Sequence, residues 1–170
     1  MRYQTDILIV INIYCKMKKK LTIIANTPSI NTRLLLDQTA LGAKSIQSNL
    51  IDVQHYEASK ADHNCVLNSS GIIIGTTENL GYMSGMIKDF FDRIYYECLE
   101  KTEGLPYAIY IRAGHDGTST DMNIKKIITG LKWKQIQKPV ILKGDWNQEF
   151  SQQCHTLGAT MAAGIESNIY

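Results

Sequence analysis

"LTIIANTPSINTRLL", Leu21 to Leu35, passes from a short, mostly apolar run through a polar turn into a leucine-rich segment. A near-continuous apolar run of this length reads as a strand buried on both faces, which is how strands of a parallel sheet look. The turn that follows is built from Thr27, Pro28, Ser29, Asn31 and Thr32, side chains that break a strand and cap a helix. Leu34, Leu35 and Leu41 mark that helix, and Gly42 is expected to close it.

Outward from this stretch the same texture returns. Apolar runs occur at Gly71 to Gly75, Leu105 to Ile111 and Pro139 to Leu142, with Asn49 to Val53 a weaker strand. Segments of helical period lie between them. After Ser84, a plausible N-cap, Met86, Ile87, Phe90, Phe91, Ile94, Tyr95, Cys98 and Leu99 share one face, with Lys88, Asp89, Asp92, Arg93 and Glu97 on the other. Ile124, Ile127, Ile128 and Leu131 mark a helix expected to be capped by Asp121, and Phe150, Cys154, Leu157 and Met161 mark another. Gln54 to Ser70 is polar and reads as loop with a short helix. Strand and helix in alternation predict an α/β fold, a three-layer doubly wound parallel sheet.

The 170 residues, 44% hydrophobic, suit one domain. A net charge of +2 with no basic stripe argues against nucleic acid and for a small ligand. The four cysteines form no CxxC pair and suit reduced thiols in a cytoplasmic protein, and the four histidines have no metal-ligand spacing, so no metal is expected. Ile7 to Tyr14 is too short to span a membrane. Residues 1–16 are expected to be an N-terminal extension outside the domain, with residues 17–170 the domain itself and Met17 an ordinary start ahead of a buried strand.

In an open parallel sheet, ligands bind beyond the carboxyl ends of the strands. Three sequences there are unusual. The turn at Thr27 to Thr32 aims backbone N–H groups, hydroxyls and a helix N-terminus at one spot, a phosphate cradle without a lysine, although Ser29 or Asn31 would equally serve as a simple cap. Gly75 to Gly85 carries three glycines that leave room for a flat ligand, beside Tyr82 and Met83. Arg112 to Thr120 offers a glycine-flanked loop with donors for the edge of a heterocycle.

"TPSINT" resembles the phosphate loop of flavodoxin-like proteins. "GTTENLGYMSGMIKDFFDRIYYE" is similar to the flavin-ring loop and following helix of the flavodoxin-like NAD(P)H-dependent FMN reductase and quinone oxidoreductase group, and "AGHDGTSTD" resembles their third flavin loop. The resemblance covers Leu21 to the C-terminus and implies a flavodoxin-like fold with FMN at the sheet's switch point, a placement inherited from the resemblance. By that match Thr27, Ser29, Asn31 and Thr32 hold the phosphate. Thr77, Glu78, Asn79, Leu80, Gly81, Tyr82 and Met83 line the isoalloxazine, and Gly114, His115, Asp116 and Gly117 close its other side. Thr77 stands where the group usually has proline and Leu80 where an aromatic residue is commoner, which bears on FMN affinity rather than on the fold.

The activity so implied is FMN-dependent transfer of electrons from NADPH or NADH to a quinone, free flavin or similar small-molecule acceptor by a ping-pong mechanism. No side chain is assigned as a catalytic acid or base; His115 is the one candidate proton donor to a quinone. The backbone amides of both later loops are expected to stabilise the reduced ring. A flavodoxin-type electron carrier is the alternative, and a flavin-free binding module a third. Carriers of this fold are typically acidic, so the slightly basic balance favours the reductase. Such reductases often pair as homodimers, and the aromatic helix after Ser84 is the surface that would serve. "GYMSG" lacks the spacing of a hydrolase nucleophile elbow.

Overall fold

The computed structural model describes residues 18–170, so the expected extension lies outside the described residues. The elements run β1 (Lys19–Ala25), α1 (Ile30–Lys44), β2 (Ile51–Glu57), α2 (His63–Leu67), β3 (Gly71–Asn79), β4 (Tyr82–Met83), α3 (Gly85–Cys98), β5 (Pro106–Ala113), α4 (Thr118–Gly130), β6 (Lys134–Gln135), β7 (Val140–Lys143) and α5 (Gln148–Glu166). The sheet order is β2-β1-β3-β5, with β6 and β7 both parallel to β5 along its outer edge. Those two short strands flank Pro139, which has no N–H to give to a ladder. β1 pairs with β2 on one side and β3 on the other, Leu21 facing Val53 and Gly71, so strand order reverses between β1 and β3. This is the expected doubly wound parallel sheet.

Alternation along each strand distributes the core between two layers. Leu21, Ile23, Ala25, Ile73, Ala108 and Tyr110 pack under α1 and α5 with Leu35, Leu36, Leu157 and Met161. Ile24, Ile72, Ile74, Ile109 and Ile111 pack under α3 and α4 with Phe90, Phe91, Ile94 and Trp133. The aromatic residues of α3 are therefore core on one side, with Tyr96 left exposed on the other. Met86, expected on the buried face, is exposed because it lies in the first turn at the sheet's open end.

Three local expectations are corrected. Gly42 does not close α1, which continues to Lys44 with Ser45 as its C-cap. Gly42 lies buried where α1 crosses α5: a Cβ there would sit 1.9 Å from the His155 carbonyl oxygen, and one on Gly158 would sit 2.0 Å from that of Thr39. Asp121 is not the cap of α4. Gly117, at φ +70°, is the N-cap, and Asp121 lies in the first turn paired with Lys125 at 2.6 Å. Gln54 to Glu57, expected as loop, form the outer half of β2, an edge strand whose polar residues tolerate partial exposure.

Burial pushes the Cys98 thiol up to about 11 and the Cys154 thiol up to about 12. The unfolded chain therefore ionises these thiols first, and the stability they contribute is complete below the ordinary thiol value of 9.0 and is lost as pH rises through the folded values. Peptide-mapped thiol alkylation near neutral pH should modify half-exposed Cys65 well before buried Cys98 and Cys154, which react only at the rate of unfolding.

Candidate functional site

The loops after β1, β3 and β5 gather at the carboxyl edge of the sheet. Ser29 is the N-cap of α1 in a reciprocal capping box: its Oγ accepts from the Thr32 N–H at 3.3 Å, and Thr32 Oγ1 accepts from the Ser29 N–H at 2.9 Å. Thr32 Oγ1 also donates to the Ser29 carbonyl at 2.9 Å. The Thr27 hydroxyl donates to Glu57 at the end of β2, and the same carboxylate oxygen accepts from the Arg33 guanidinium. The hydroxyls expected to face a phosphate are thus engaged in building the turn. The groups left for a ligand are the first-turn N–H groups of Ile30 and Asn31, which have no intrahelical acceptor and lie on exposed residues.

Arg33 and Glu57 were not legible as site residues. Arg33 lies one turn into α1, where it reads as a solvated helix charge. Glu57 reaches the turn only because β2 runs four residues further than its apolar signal. Together they put a half-exposed cation beside the α1 N-terminus.

The segment after β3 is a hairpin rather than a loop. β3 continues to Asn79 and folds back as β4, pairing Glu78 with Met83 and Asn79 with Tyr82. Leu80 (φ +53°) and Gly81 (φ +74°) make the two-residue turn, both in the left-handed region, as a tight hairpin of this length requires. A β-substituted residue is strained there, and Leu80 carries that strain with its side chain fully in solvent. Thr76 Oγ1 accepts from the buried Ser84 N–H at 3.0 Å, and Ser84 caps α3 through the Ile87 N–H at 3.3 Å. The hairpin is thereby tied to the start of α3.

The glycines of this segment do different work from that expected. The space beside Gly75 is filled by the Tyr110 ring, whose Cζ would lie 2.1 Å from a Cβ, and Gly81 serves the turn. Gly81 and Gly85 both face open space, and of the two only Gly85 is free of the turn's left-handed backbone.

The loop after β5 starts at Gly114, since Arg112 and Ala113 belong to the strand. Arg112 is turned to the sheet edge, where it donates to the carbonyls of Leu142 at 3.0 Å and Gly144 at 2.6 Å and lies 5.3 Å from the Phe150 ring centroid. Asp116 accepts from the Thr118 N–H at 2.9 Å, a bond that holds its carboxyl below the ordinary range. The His115 and Gly117 N–H groups donate to the Glu78 carboxylate at 2.6 and 3.2 Å. Two of the amides expected to face a reduced ring are therefore taken by Glu78. The residue at 115 is exposed, and this contact uses its backbone.

Two buried hydroxyls without a hydrogen-bond partner, Thr77 Oγ1 and Tyr110 OH, bear on whether these residues fit FMN. By strand alternation Thr77 shares the α1 face with Ile73 and Gly75, and Tyr110 lies over Gly75 on that same face. Burial holds the Tyr110 phenol neutral, well above its ordinary value. Orphaned hydroxyls are uncommon in folded chains; of the four among the described residues, Thr120 Oγ1 and Ser151 Oγ lie on α4 and α5, while these two lie on β3 and β5 next to where strand order reverses. The donor set of α1 N–H groups, Thr77 and the open Gly85 and Gly114 suits a phosphorylated, flat, polar ligand. Glu78, which occupies the His115 and Gly117 amides, and Glu57, which takes the Thr27 hydroxyl, stand against it.

Among the described residues no cluster of three His, Cys, Asp or Glu side chains could hold a metal, and no helix is long and apolar enough to cross a membrane.

No protein-family model matches the sequence. A curated flavodoxin from Aquifex aeolicus is 27% identical over 113 residues, which is 66% of this chain and 60% of that protein, so the match spans under two thirds of the relative. Among solved structures, a flavodoxin from the domain Archaea superposes with a TM-score of 0.74 at 16% identity, covering 86% of this chain and 99% of that one. A flavodoxin, WrbA-like protein from Agrobacterium tumefaciens superposes with a TM-score of 0.70 at 11% identity, covering 88% and 99%. The likeness extends to flavodoxins and WrbA-like proteins alike and does not single out the reductase group. The chain has the three-layer, doubly wound flavodoxin-like fold.

Proposed function

We propose that this chain binds FMN across the carboxyl ends of β1, β3 and β5 and serves as a flavodoxin-type electron carrier. FMN, when bound, supplies the redox chemistry. The turn at Thr27, Ser29, Asn31 and Thr32 holds the phosphate through the backbone N–H groups that its capping box orients, with Arg33 at the rim. The hairpin at Thr77, Glu78, Asn79, Leu80, Gly81, Tyr82 and Met83 walls one side of the ring, and Gly114, His115, Asp116 and Gly117 wall the other. The observation that carries this reading is the orphaned Thr77 hydroxyl beside a capped, open α1 N-terminus at the switch point of a flavodoxin-like sheet. The curated relative that matches is a flavodoxin, as is an archaeal protein of like structure, which favours a carrier over a nicotinamide-dependent enzyme.

A second reading keeps the same site and makes the chain an NAD(P)H-dependent reductase of quinones or free flavin. Its support is the net charge of +2, since a carrier steered to its partners usually has a surface strongly of one sign. FMN-loaded protein mixed with NADH or NADPH without oxygen separates the two. The carrier reading expects the yellow colour to persist with either nucleotide and to bleach with dithionite. Bleaching by a nucleotide within seconds would replace it with the reductase reading.

A further inference from the structure

The Glu78 carboxylate closes the gap between the hairpin and the loop after β5. Its Oε2 accepts from the His115 N–H at 2.6 Å and its Oε1 from the Gly117 N–H at 3.2 Å. Among the described residues these are the side-chain hydrogen bonds that join the hairpin to this loop. The two N–H groups converge on a single bidentate acceptor. They do so at the start of α4, whose N-cap, Gly117, has no side chain to offer, so the helix adds positive potential to the same spot. The geometry is a seat for two adjacent acceptor atoms. A carboxylate satisfies it, and so does the N1–C2=O edge of a flavin's pyrimidine ring, where both atoms accept; the N3–H edge, which donates, does not.

We infer that Glu78 is an internal ligand: it occupies the seat for the ring edge in the flavin-free chain and must swing out before a flavin can take the His115 and Gly117 amides. This rests on the FMN-binding reading above. Glu78 is suited to such exchange. It is half-exposed at the end of β3, next to the hairpin turn, so its side chain can leave into water without exposing core. Charge-assisted bonds to backbone N–H groups are stronger than neutral ones, so the displaced contact opposes binding measurably.

The test compares FMN affinity, by quenching of flavin fluorescence, in wild type, Glu78→Gln and Glu78→Ala, together with amide hydrogen exchange of the flavin-free proteins. Glu78→Ala should bind FMN at least about fivefold more tightly than wild type, with faster exchange at His115 and Gly117. Glu78→Gln, which keeps one acceptor oxygen, should gain less. The gain should persist at about 0.5 M salt, which screens remote charges. A gain that salt abolishes, or one equal in both variants, would report repulsion of the phosphate by the carboxylate charge and overturn the inference. Unchanged or weaker binding in folded Glu78→Ala overturns it while leaving the FMN reading intact. If wild type binds no FMN but Glu78→Ala does, the inference stands in its strongest form. If neither folded protein binds, the FMN reading and this inference fall together.

Discussion

Gly158→Ala is expected to lower the free energy of unfolding by about 2 kcal/mol, although alanine favours a helix over glycine by about 1 kcal/mol. The added Cβ would lie 2.0 Å from the Thr39 carbonyl oxygen and 2.9 Å from the Ala43 nitrogen, both backbone atoms that no rotamer change can move. α1 and α5 would have to separate along a crossing that buries Leu35, Leu36, Leu157 and Met161. Gly42→Ala meets the same contact from the other helix, at 1.9 Å from the His155 oxygen. Because either substitution already parts the helices, the double variant should lose clearly less than the sum of the two. Urea unfolding of the four proteins measures this. A Gly158→Ala midpoint equal to or above wild type would mean that the helices do not cross where described.

Gly75→Ala is expected to cost about 2–3 kcal/mol in the wild-type background and little in a Tyr110→Ala background. The reason is specific: a Cβ on Gly75 would lie 2.1 Å from Cζ and 2.2 Å from the hydroxyl of Tyr110, whose ring is fully enclosed and has nowhere to go. Tyr110→Ala is itself destabilising, by about 3–5 kcal/mol on the scale of large-to-small core changes. The informative quantity is therefore the coupling between the two sites, expected at about 2 kcal/mol. Equal costs for Gly75→Ala in both backgrounds would show that the glycine serves something other than the ring.

The strands of the sheet's interior were legible because they are buried on both faces, which leaves near-continuous apolar runs at Leu21, Gly71 and Leu105. The outer half of β2 was not, since an edge strand carries Gln54, His55 and Glu57. The β3–β4 hairpin was hidden for a different reason. A two-residue turn is signalled by asparagine or aspartate before glycine, and here Leu80 takes the left-handed position. Gly42 misled because a glycine late in a helical pattern normally ends it, whereas close approach of a second helix asks for the same residue.

At the candidate site, the capping signature of Ser29 and Thr32 was readable, but the consequence was not: their hydroxyls face each other. Glu78 could be placed on the ring loop from the motif. Its contacts with the His115 and Gly117 amides depend on β3 and β5 lying side by side, with Thr77 opposite Arg112, which no local pattern encodes.

Titration of the purified, demonstrably folded chain with FMN, followed by quenching of flavin fluorescence, tests the central claim most directly. Saturable binding of one FMN per chain, weakened at least about tenfold when riboflavin replaces FMN, is the expected result, because the α1 N-terminus would then be holding the phosphate. Fluorescence left unchanged by both the folded wild type and folded Glu78→Ala would contradict it.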